Sequence, residues 1–415
     1  MKELLFLCHR MPYPPNKGDK IRAYHWLKAL SERYRVHLGT FVDDPDDWAH
    51  RSVLDALTDQ QCYRTLKPLA ARIRSTTGFL NNRALSVGYY RDARLAGWVD
   101  EILATRPIEH VFVFSSTMAT YVDTHEGCRR VLDFVDVDSD KWRQYAAKCT
   151  GVARWIYTRE ANRLLAEERR LAGVFDASLF VSDAEADFFR DAAPESSERV
   201  GAIGNGVDSV FFDPDLEHDD PYRQPGAARV VFTGVMDYGA NVDAVEWFVQ
   251  NVWPAVRTAQ PDAQFWIVGT RPTRQVLALA EHAGVHVTGA VADVRPYLAH
   301  ASVAVAPMRI ARGIQNKVLE ALAMGRAVVM SEQAAAGLEP ADEAIAAIAE
   351  SAEAFARAVL AYVDQQDHGR PLPAARSYVT RYYGWQRQFE RLYEYIEPGQ
   401  GNARNVQSAA VGASA

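Results

Sequence analysis

Short apolar runs rich in β-branched and aromatic residues alternate with longer amphipathic stretches along most of the chain. This alternation is typical of parallel β-sheets covered by helices, so it predicts an α/β fold. Helices are expected between the strands, notably over residues 20–33 and 153–172. The predicted strands span residues 3–8, 35–41, 110–114, 130–135 and 177–181 in the first half, and residues 229–233, 264–268, 285–288, 303–306 and 327–331 in the second half.

The chain has 415 residues, which is more than one hydrophobic core usually organises, so we expect two domains. A glycine-rich segment at residues 201–208 is suited to a hinge between them. The last residues carry almost no large side chains, so burial cannot offset their ordering entropy. We therefore predict a first domain over residues 1–200, a second over 201–375, a helical segment over 376–398 that crosses back to the first domain, and a flexible tail over 399–415.

The amino-acid composition limits the classes of protein that fit this sequence. Hydrophobic residues make up 48% of the chain and charged residues 24%, as in a soluble globular protein. The four cysteines are widely spaced with no C-x-x-C pair, which argues against a zinc site or a disulfide framework and favours a reducing cytosol. No run approaches the roughly 18 apolar residues of a membrane span, so we expect only peripheral membrane contact. No nucleic-acid partner is expected.

Residues 64–94 are strongly basic. They contain seven Lys and Arg side chains but one acid, Asp92, and aromatic residues lie between the cations. Such a segment could rest on anionic lipid headgroups. It could equally be a solvated helical face with aromatic anchors in the core. The sequence leaves both interpretations open.

Ligands of doubly wound sheets bind beyond the carboxyl ends of the strands, so the loops at these ends are the first candidates for a site. The loop after the first strand contains Gly18, which lets the backbone approach a ligand, and the following helix start offers free N–H groups to an anion. Lys20 and Arg22 add positive charge. An ordinary turn is the alternative interpretation of this loop.

A second glycine loop, from Gly234 to Asn241, occupies the equivalent place after the first strand of the second half. Two such loops at equivalent places in two sheets would face each other across a cleft.

The third candidate segment surrounds the start of a helix near residue 316. Gly313 precedes this helix, and Asn316 and Lys317 lie in its first turn, so N–H groups and an ammonium group converge where a diphosphate could bind. Glu320 lies on the same face, where a carboxylate could accept hydrogen bonds from the two hydroxyls of a ribose. The alternative is a Glu and Lys pair on a solvated helix.

Six stretches of the sequence together carry a family resemblance whose order and spacing extend to about residue 395. The chain resembles the group 1, or family 4, GT-B glycosyltransferases, and within them the sugar transferases associated with PEP-CTERM exopolysaccharide systems. The stretches are Pro12-x-Pro-Pro-x-x-Gly-Asp-x-x-Arg22, residues 133–142, residues 181–186, Asn205-Gly-Val-Asp208, residues 234–244 and Asn316-Lys-x-Leu-Glu-Ala321.

The resemblance implies two Rossmann-like domains facing across a cleft, with the acceptor side in residues 1–200 and the nucleotide-sugar donor in 201–375. It implies a retaining transfer from a nucleotide-sugar donor to a saccharide or lipid-linked acceptor, without a cofactor or metal, after closure about residues 201–208. Glu320 resembles the second acid of the family's E-x7-E signature, which binds the donor ribose. Gly18 resembles the glycine near the donor phosphates, Gly269 and Gly289 the backbone around the base, and residues 313–317 the diphosphate loop.

Two positions depart from the family pattern. Arg312 stands where the first acid of E-x7-E is expected, and a cation there could hold phosphate or an acidic sugar. The family's frequent histidine would fall near Val135, so the role of activating the acceptor would pass to Asp136 or Asp138. Either aspartate could instead cap the next helix.

Two other functions remain compatible with the sequence. One is a non-catalytic module that binds a nucleotide sugar in a polysaccharide assembly complex, and the other is a nucleotide-sugar epimerase of the same fold. Transfer is the preferred interpretation, in the cytoplasm at the inner face of the membrane, because the motifs match in order and spacing.

Overall fold

A computed structural model describes residues 1–15, 17–222, 226–311, 314–342, 345–363 and 370–399. The predicted tail beyond Gly399 and the candidates Arg312 and Gly313 lie outside these residues. Within them, no helix is long and apolar enough to cross a membrane.

The chain forms two compact units. The first comprises Met1–Gly204 and the described residues from Gln388 onward, and the second comprises Asn205–Arg387. This division differs from the predicted one, which assigned residues 376–387 to a segment belonging with the first domain. These residues lie in the second unit because Tyr378, Val379 and Tyr383 are buried in its core.

The first unit contains a seven-stranded sheet with the order β3-β2-β1-β4-β5-β6-β7, in which every neighbouring pair is parallel. Its central strands carry continuous apolar runs because both faces of the sheet are covered. The strands are β1 (Glu3–Cys8), β2 (Arg35–Val42), β3 (Gln60–Thr65), β4 (Ile108–Phe114), β5 (Arg129–Val135), β6 (Ala177–Phe180) and β7 (Val200–Ala202).

Ten α-helices of the first unit connect or flank these strands. They are α1 (Gly18–Arg33), α2 (Arg51–Asp55), α3 (Pro68–Ser75), α4 (Thr77–Leu80), α5 (Leu85–Tyr89), α6 (Ala93–Thr105), α7 (Ser116–Ala119), α8 (Asp138–Ala147), α9 (Gly151–Val174) and α10 (Asp183–Ala192), with 3-10 turns at Pro45–His50 and Pro194–Arg199.

The second unit contains a six-stranded parallel sheet with the order β10-β9-β8-β11-β12-β13. The strands are β8 (Arg229–Thr233), β9 (Gln264–Val268), β10 (Val285–Gly289), β11 (Val303–Ala306), β12 (Val328–Met330) and β13 (Ala346–Ile348).

The helices of the second unit surround this sheet. They are α11 (Gly239–Trp247), α12 (Trp253–Ala259), α13 (Arg274–Ala278), α14 (Arg295–Ala299), α15 (Asn316–Ala323), α16 (Glu332–Ala335), α17 (Ala352–Val363) and α18 (Pro373–Tyr383), with a π-helical turn at Phe248–Val252 and a 3-10 turn at Leu279–Glu281. The last helix, α19 (Trp385–Ile396), returns to the first unit, where the Tyr393 hydroxyl donates to the carbonyl of Ala29 at 2.7 Å.

Two parallel sheets with interspersed helices confirm the predicted α/β fold. Each sheet has its own hydrophobic core, one around β1, β4 and β5 and the other around β8, β9 and β11.

Candidate functional site

The order of strands in the second unit identifies one preferred place for a ligand. The chain runs outward from β8 to β9 and β10, and then crosses to the other side of β8 to form β11. Connections from β8 and β11 therefore leave in opposite directions, which opens a crevice beyond the carboxyl ends of these two strands. The loops after β8 and β11 and the starts of α11 and α15 lie at this end of the sheet.

Two predicted glycines meet at the base of this crevice. A Cβ atom on Gly269 would lie 1.6 Å from the carbonyl oxygen of Gly234, so the loops after β8 and β9 can cross only if residue 269 is glycine. A Cβ atom on Gly234 would lie 2.7 Å from Nδ2 of Asn241 and 3.5 Å from Nζ of Lys317. The missing side chain of Gly234 thus leaves the space that the polar groups of two helix starts occupy.

The Lys317 ammonium group is held at this point by three different contacts. Nζ donates to Oδ1 of Asn241 at 2.5 Å, lies 3.6 Å from Sδ of Met308, and lies 4.1 Å from the centroid of the Phe232 ring. The Asn241 side chain is itself fixed, because its Nδ2 donates to the carbonyl of Val235 at 2.9 Å. The structure therefore brings together Gly234, Asn241 and Lys317, three of the residues predicted from the sequence.

Lys317 and Glu320 both have strongly shifted titrations. Burial lowers the pKa of Lys317 to about 7, although the charge of Glu320 opposes the shift. Burial also raises the pKa of Glu320 to about 7, against the opposing effect of Lys317. Shifts of this kind are typical of functional sites, because ligand contacts there replace interactions that the empty protein lacks.

Two hydrogen-bonding side chains fix the loop after β11. The Ser331 hydroxyl donates to the carbonyl of Met308 at 2.6 Å. Arg309 of this loop donates to both carboxylate oxygens of Asp243 on α11. Arg309 with Asp243 therefore ties the loop after β11 to α11, and Lys317 with Asn241 ties the start of α15 to the start of α11.

The remaining candidates of the second unit differ in their surroundings. Asn316 begins α15, and its Oδ1 accepts a hydrogen bond from Nδ2 of Asn205 at 3.2 Å. Gly289 ends β10 with a φ of 69° and open space around its Cβ position, so its backbone favours glycine and is not shielded by a side chain. Arg312 and Gly313 lie outside the described residues.

Residues 227–365, which contain this crevice, match the family model described as "Glycosyl transferases group 1". Over these residues the chain is similar to the group 1 glycosyl transferases. This finding confirms the predicted enzyme class, a glycosyltransferase. None of the curated proteins compared with the chain matches it.

Solved structures similar to this glycosyltransferase extend over nearly the full length of the chain. HepE from Anabaena, in complex with UDP and glucose, is 12% identical with a TM-score of 0.61 and covers 95% of this chain and 99% of its own. WaaG, a glycosyltransferase involved in lipopolysaccharide biosynthesis, is 16% identical with a TM-score of 0.62 and covers 95% and 100%. Sucrose-phosphate synthase from Thermosynechococcus elongatus is 14% identical with a TM-score of 0.66 and covers 98% and 100%. At this identity the likeness establishes the two-domain GT-B fold.

In the first unit of the glycosyltransferase, the predicted cations Lys20 and Arg22 point into the protein. Lys20 is buried, and its Nζ donates to Asp47 at 2.5 Å. Arg22 is also buried, and its Nε donates to Asp133 at 2.8 Å. Both charges neutralise internal carboxylates, which argues against the predicted direct contact with donor phosphates. Gly18 is exposed as the first residue of α1, so its backbone N–H remains at the surface.

The predicted catalytic carboxylates share one cation. Nζ of Lys141 donates to Oδ2 of Asp136 at 2.8 Å and to Oδ1 of Asp138 at 2.9 Å. The two carboxylates hold the pKa of Lys141 well above its usual range, although burial acts in the opposite direction. Asp136 and Asp138 remain partly exposed at the carboxyl end of β5, with the Lys141 ammonium between them.

Two buried acids fix the backbone that carries these carboxylates. Glu185 accepts from the N–H of Val137 at 2.9 Å, and Glu168 accepts from the N–H of Ser139 at 3.1 Å. Burial raises the pKa of Glu168 to about 8. Val135, at the end of β5, has a φ of 69°, a conformation that costs a β-branched residue free energy and persists where its surroundings impose it.

Sequence reasoning missed a polar cluster where β1 ends. Asp19 accepts from NH1 of Arg10 at 2.9 Å and lies 3.6 Å from Nε2 of His9. Burial raises the pKa of Asp19, but His9 and Arg10 outweigh burial and hold it well below its usual range. The His9 ring stacks on Phe114, the last residue of β4, with centroids 6.0 Å apart. The sequence feature that could have predicted this cluster is a histidine and an arginine directly after a buried strand.

Among the described residues, no three His, Cys, Asp or Glu side chains are placed to hold a metal ion. The Asp136-Val-Asp138 sequence contributes its carboxylates to Lys141.

Proposed function

We propose that the protein transfers a sugar from a nucleotide-sugar donor to a saccharide or lipid-linked acceptor, with retention at the anomeric carbon. The observation that carries this proposal is the convergence of Gly234, Asn241 and Lys317 at the switch point of the second sheet, inside the region that matches group 1 glycosyltransferases. A cation beside two helix starts is suited to a diphosphate.

In the proposed donor complex, the diphosphate lies against Lys317 and the N-terminus of α15, and Glu320 accepts hydrogen bonds from the ribose hydroxyls. Negative charge develops on the diphosphate as the bond to the sugar breaks. A preorganised ammonium and helix N–H groups stabilise that charge more in the transition state than in the bound donor. Burial lowers the pKa of Lys317, so an anionic diphosphate beside it favours the ammonium form that burial disfavours.

The acceptor is proposed to use the carboxylates at the end of β5. Asp136 and Asp138 each accept a hydrogen bond from Lys141 through one carboxylate oxygen, so the other oxygen of either can accept a hydrogen bond from an acceptor hydroxyl and orient it. Glu168 and Glu185 fix the backbone that carries these two aspartates, and this favours a fixed position of their carboxylates. The retaining outcome rests on the family resemblance.

The biological setting is proposed to be synthesis of an exopolysaccharide or another cell-surface glycan, in a PEP-CTERM-type system at the cytoplasmic face of the membrane. WaaG, which has a similar fold, is involved in lipopolysaccharide biosynthesis, and this supports the same class of role. UDP-glucose is the first donor to test, because HepE has been crystallised with it.

Thermal unfolding in the presence of nucleotide sugars tests the donor site. A donor at a hundredfold excess over its Kd should stabilise the protein by about 2.7 kcal/mol. Glu320→Ala should abolish this response, because the ribose loses its acceptor. The matched control is Glu353→Ala, which removes an exposed glutamate from α17 in the same unit and should respond like the wild type.

An unchanged response of Glu320→Ala would remove the ribose assignment. Incubation with labelled donor then separates the reactions: transfer requires an acceptor, epimerisation proceeds without one, and a binding module yields no product.

A further inference from the structure

Helix α3 of the first unit presents two large apolar side chains to solvent. Leu69 and Ile73 are 75% and 73% exposed and lie four residues apart, a spacing that makes them neighbours on the helix surface. The start of α9 presents a second pair, Val152 and Trp155, which are 74% and 60% exposed at a spacing of three residues. Single exposed apolar residues are common, but two pairs in one region need an explanation.

The Phe79 side chain joins these two helices. Its ring stacks on Trp155 with centroids 6.1 Å apart and planes within 7° of parallel. The Arg159 guanidinium lies 4.7 Å from the Phe79 centroid and donates to the carbonyl of Gly78 at 2.6 Å. Since α4 follows α3 after one residue, α3, α4 and residues 151–163 of α9 form one surface, which we call the docking surface.

The docking surface is positive. Residues 68–80 contain two basic residues and no acid, and residues 151–163 contain three basic residues and one acid, Glu160. Glu160 does not neutralise this surface, because it is buried and accepts hydrogen bonds from the N–H groups of Leu85 and Ser86. The cations that lie next to the exposed apolar side chains in sequence, such as Arg72 and Arg154, are themselves exposed.

A groove of about 380 Å³ runs along α9 within the docking surface. Trp155, Thr158, Arg159, Asn162 and Arg163 line it. NH2 of Arg159 donates to the carbonyl of Gly78, so this guanidinium contributes mainly its charge to the groove. The exposed guanidinium of Arg163, the Thr158 hydroxyl and the Asn162 amide around the groove offer donors to a phosphate.

We propose that the docking surface binds an anionic lipid bilayer, with apolar side chains entering the headgroup boundary and a lipid phosphate between Arg159 and Arg163. Pairs of apolar side chains that protrude among cations fit a fluid, negatively charged interface better than the continuous apolar core of a protein partner. An exposed tryptophan beside a cation is also typical of such boundaries. The inference deepens the proposed function, because it identifies the face that would bring the enzyme to a lipid-linked acceptor.

Sedimentation of the full chain with lipid vesicles tests the proposal. The protein should bind vesicles of phosphatidylcholine with a quarter phosphatidylglycerol, should not bind pure phosphatidylcholine, and should be released by salt. Arg72→Glu with Arg163→Glu should weaken the partition coefficient by at least tenfold, since each lost cation near an anionic surface is worth roughly a fivefold change. Ile73→Ser with Trp155→Ser should weaken it while leaving the dependence on salt unchanged.

The matched control is Arg274→Glu with Leu277→Ser, which makes the same kinds of change on an exposed face of α13 in the second unit. It should bind vesicles like the wild type. Equal binding by wild type and both docking-surface variants would overturn the proposal, as would absence of binding to anionic vesicles.

Thermal stabilisation by the nucleotide sugar keeps the two proposals separate. All variants should retain it, because the substituted residues lie outside the donor site. Loss of vesicle binding with an intact donor response supports the docking surface, whereas vesicle binding without any donor response contradicts only the proposed function.

Discussion

At the scale of single residues, Lys317 and Glu320 of the second unit both have a pKa shifted to about 7. Burial disfavours the charged form of each side chain, so both titrate near pH 7. Keeping such a pair buried costs free energy in the protein without a donor. A bound diphosphate would favour the ammonium form of Lys317, and ribose hydroxyls would favour the carboxylate form of Glu320. Donor binding should therefore be linked to both protonation equilibria.

Donor affinity should be greatest near pH 7 and fall on both sides. Above the pKa of about 7, Lys317 loses its proton and binding weakens, approaching tenfold per pH unit. Below pH 7, Glu320 gains a proton and the ribose loses its acceptor. Calorimetric titration between pH 5.5 and 8.5 measures this profile, preferably with a nucleotide sugar, whose diphosphate keeps a constant charge there.

Substitutions test which residue causes each limb of the pH profile of donor affinity. Lys317→Met should abolish most binding and flatten the alkaline limb of what remains, and Glu320→Gln should flatten the acid limb. An affinity that does not change across this pH range would contradict the assigned roles.

At the scale of structural elements, the first sheet is tied to α1 through Asp133. This buried carboxylate on β5 accepts from Nε of Arg22 and from Nε1 of Trp26 at 2.8 and 2.9 Å, both on α1. A carboxylate buried with its partners contributes chiefly by compensating the charge opposite it. Its removal would leave the Arg22 cation inside the protein.

Asp133→Ala should lower the free energy of unfolding by about 3–5 kcal/mol. Urea denaturation measures this, with Glu101→Ala as the control because it removes an exposed acid from α6 in the same unit. Combining Asp133→Ala with Arg22→Met should recover part of the loss. A loss no larger than that of the control would show that the ion pair does not hold α1 to the sheet.

The loop between β5 and α8 depends on a carboxyl group that is neutral at pH 7. Because burial raises the pKa of Glu168 to about 8, the folded protein retains a proton that the unfolded chain releases near pH 4.5. Stability should therefore fall as pH rises from about 5 to 8, and the full penalty, roughly 2–5 kcal/mol, should be present above pH 8.

Glu168→Gln should remove this contribution while keeping the acceptor for the N–H of Ser139. The variant should match the wild type near pH 5 and exceed it near pH 9 in urea denaturation. Parallel stability curves for the two proteins would mean that Glu168 is ionised in the folded state.

Strands in the middle of each sheet could be predicted from the sequence, whereas most edge strands could not; the edge strand β10 is the exception. Strands β1, β8, β9 and β11 have the predicted bounds, because central strands are continuous apolar runs. Strands β3, β7 and β13 were missed. They lie at sheet edges. Four of the six residues of β3 are polar, and β7 and β13 have three residues each, so no apolar run marks them.

At the scale of the whole molecule, each unit has its own core, so the chain should not unfold in a single two-state step. Differential scanning calorimetry should resolve two transitions. Asp133→Ala should lower the temperature of one, and the nucleotide sugar should raise the temperature of the other, because one change acts on the first unit and the other on the second. One transition that responds to both changes would contradict this assignment.

The sequence by itself determined the α/β class, the two-sheet repetition, most central strands and the helix starts that carry Asn241 and Lys317, because these depend on local periodicity and on glycines beside strand ends. Only the tertiary structure decided which charges remain for a ligand. Lys20 and Arg22 have a local sequence pattern like that of Lys317. Their partners, Asp47 and Asp133, lie 27 and 111 positions away along the chain, and Asn241, the partner of Lys317, lies 76 positions away. Local spacing contains no information about such distant partners, so whether a cation is neutralised inside the protein or left to bind a phosphate is settled by the packing of the fold.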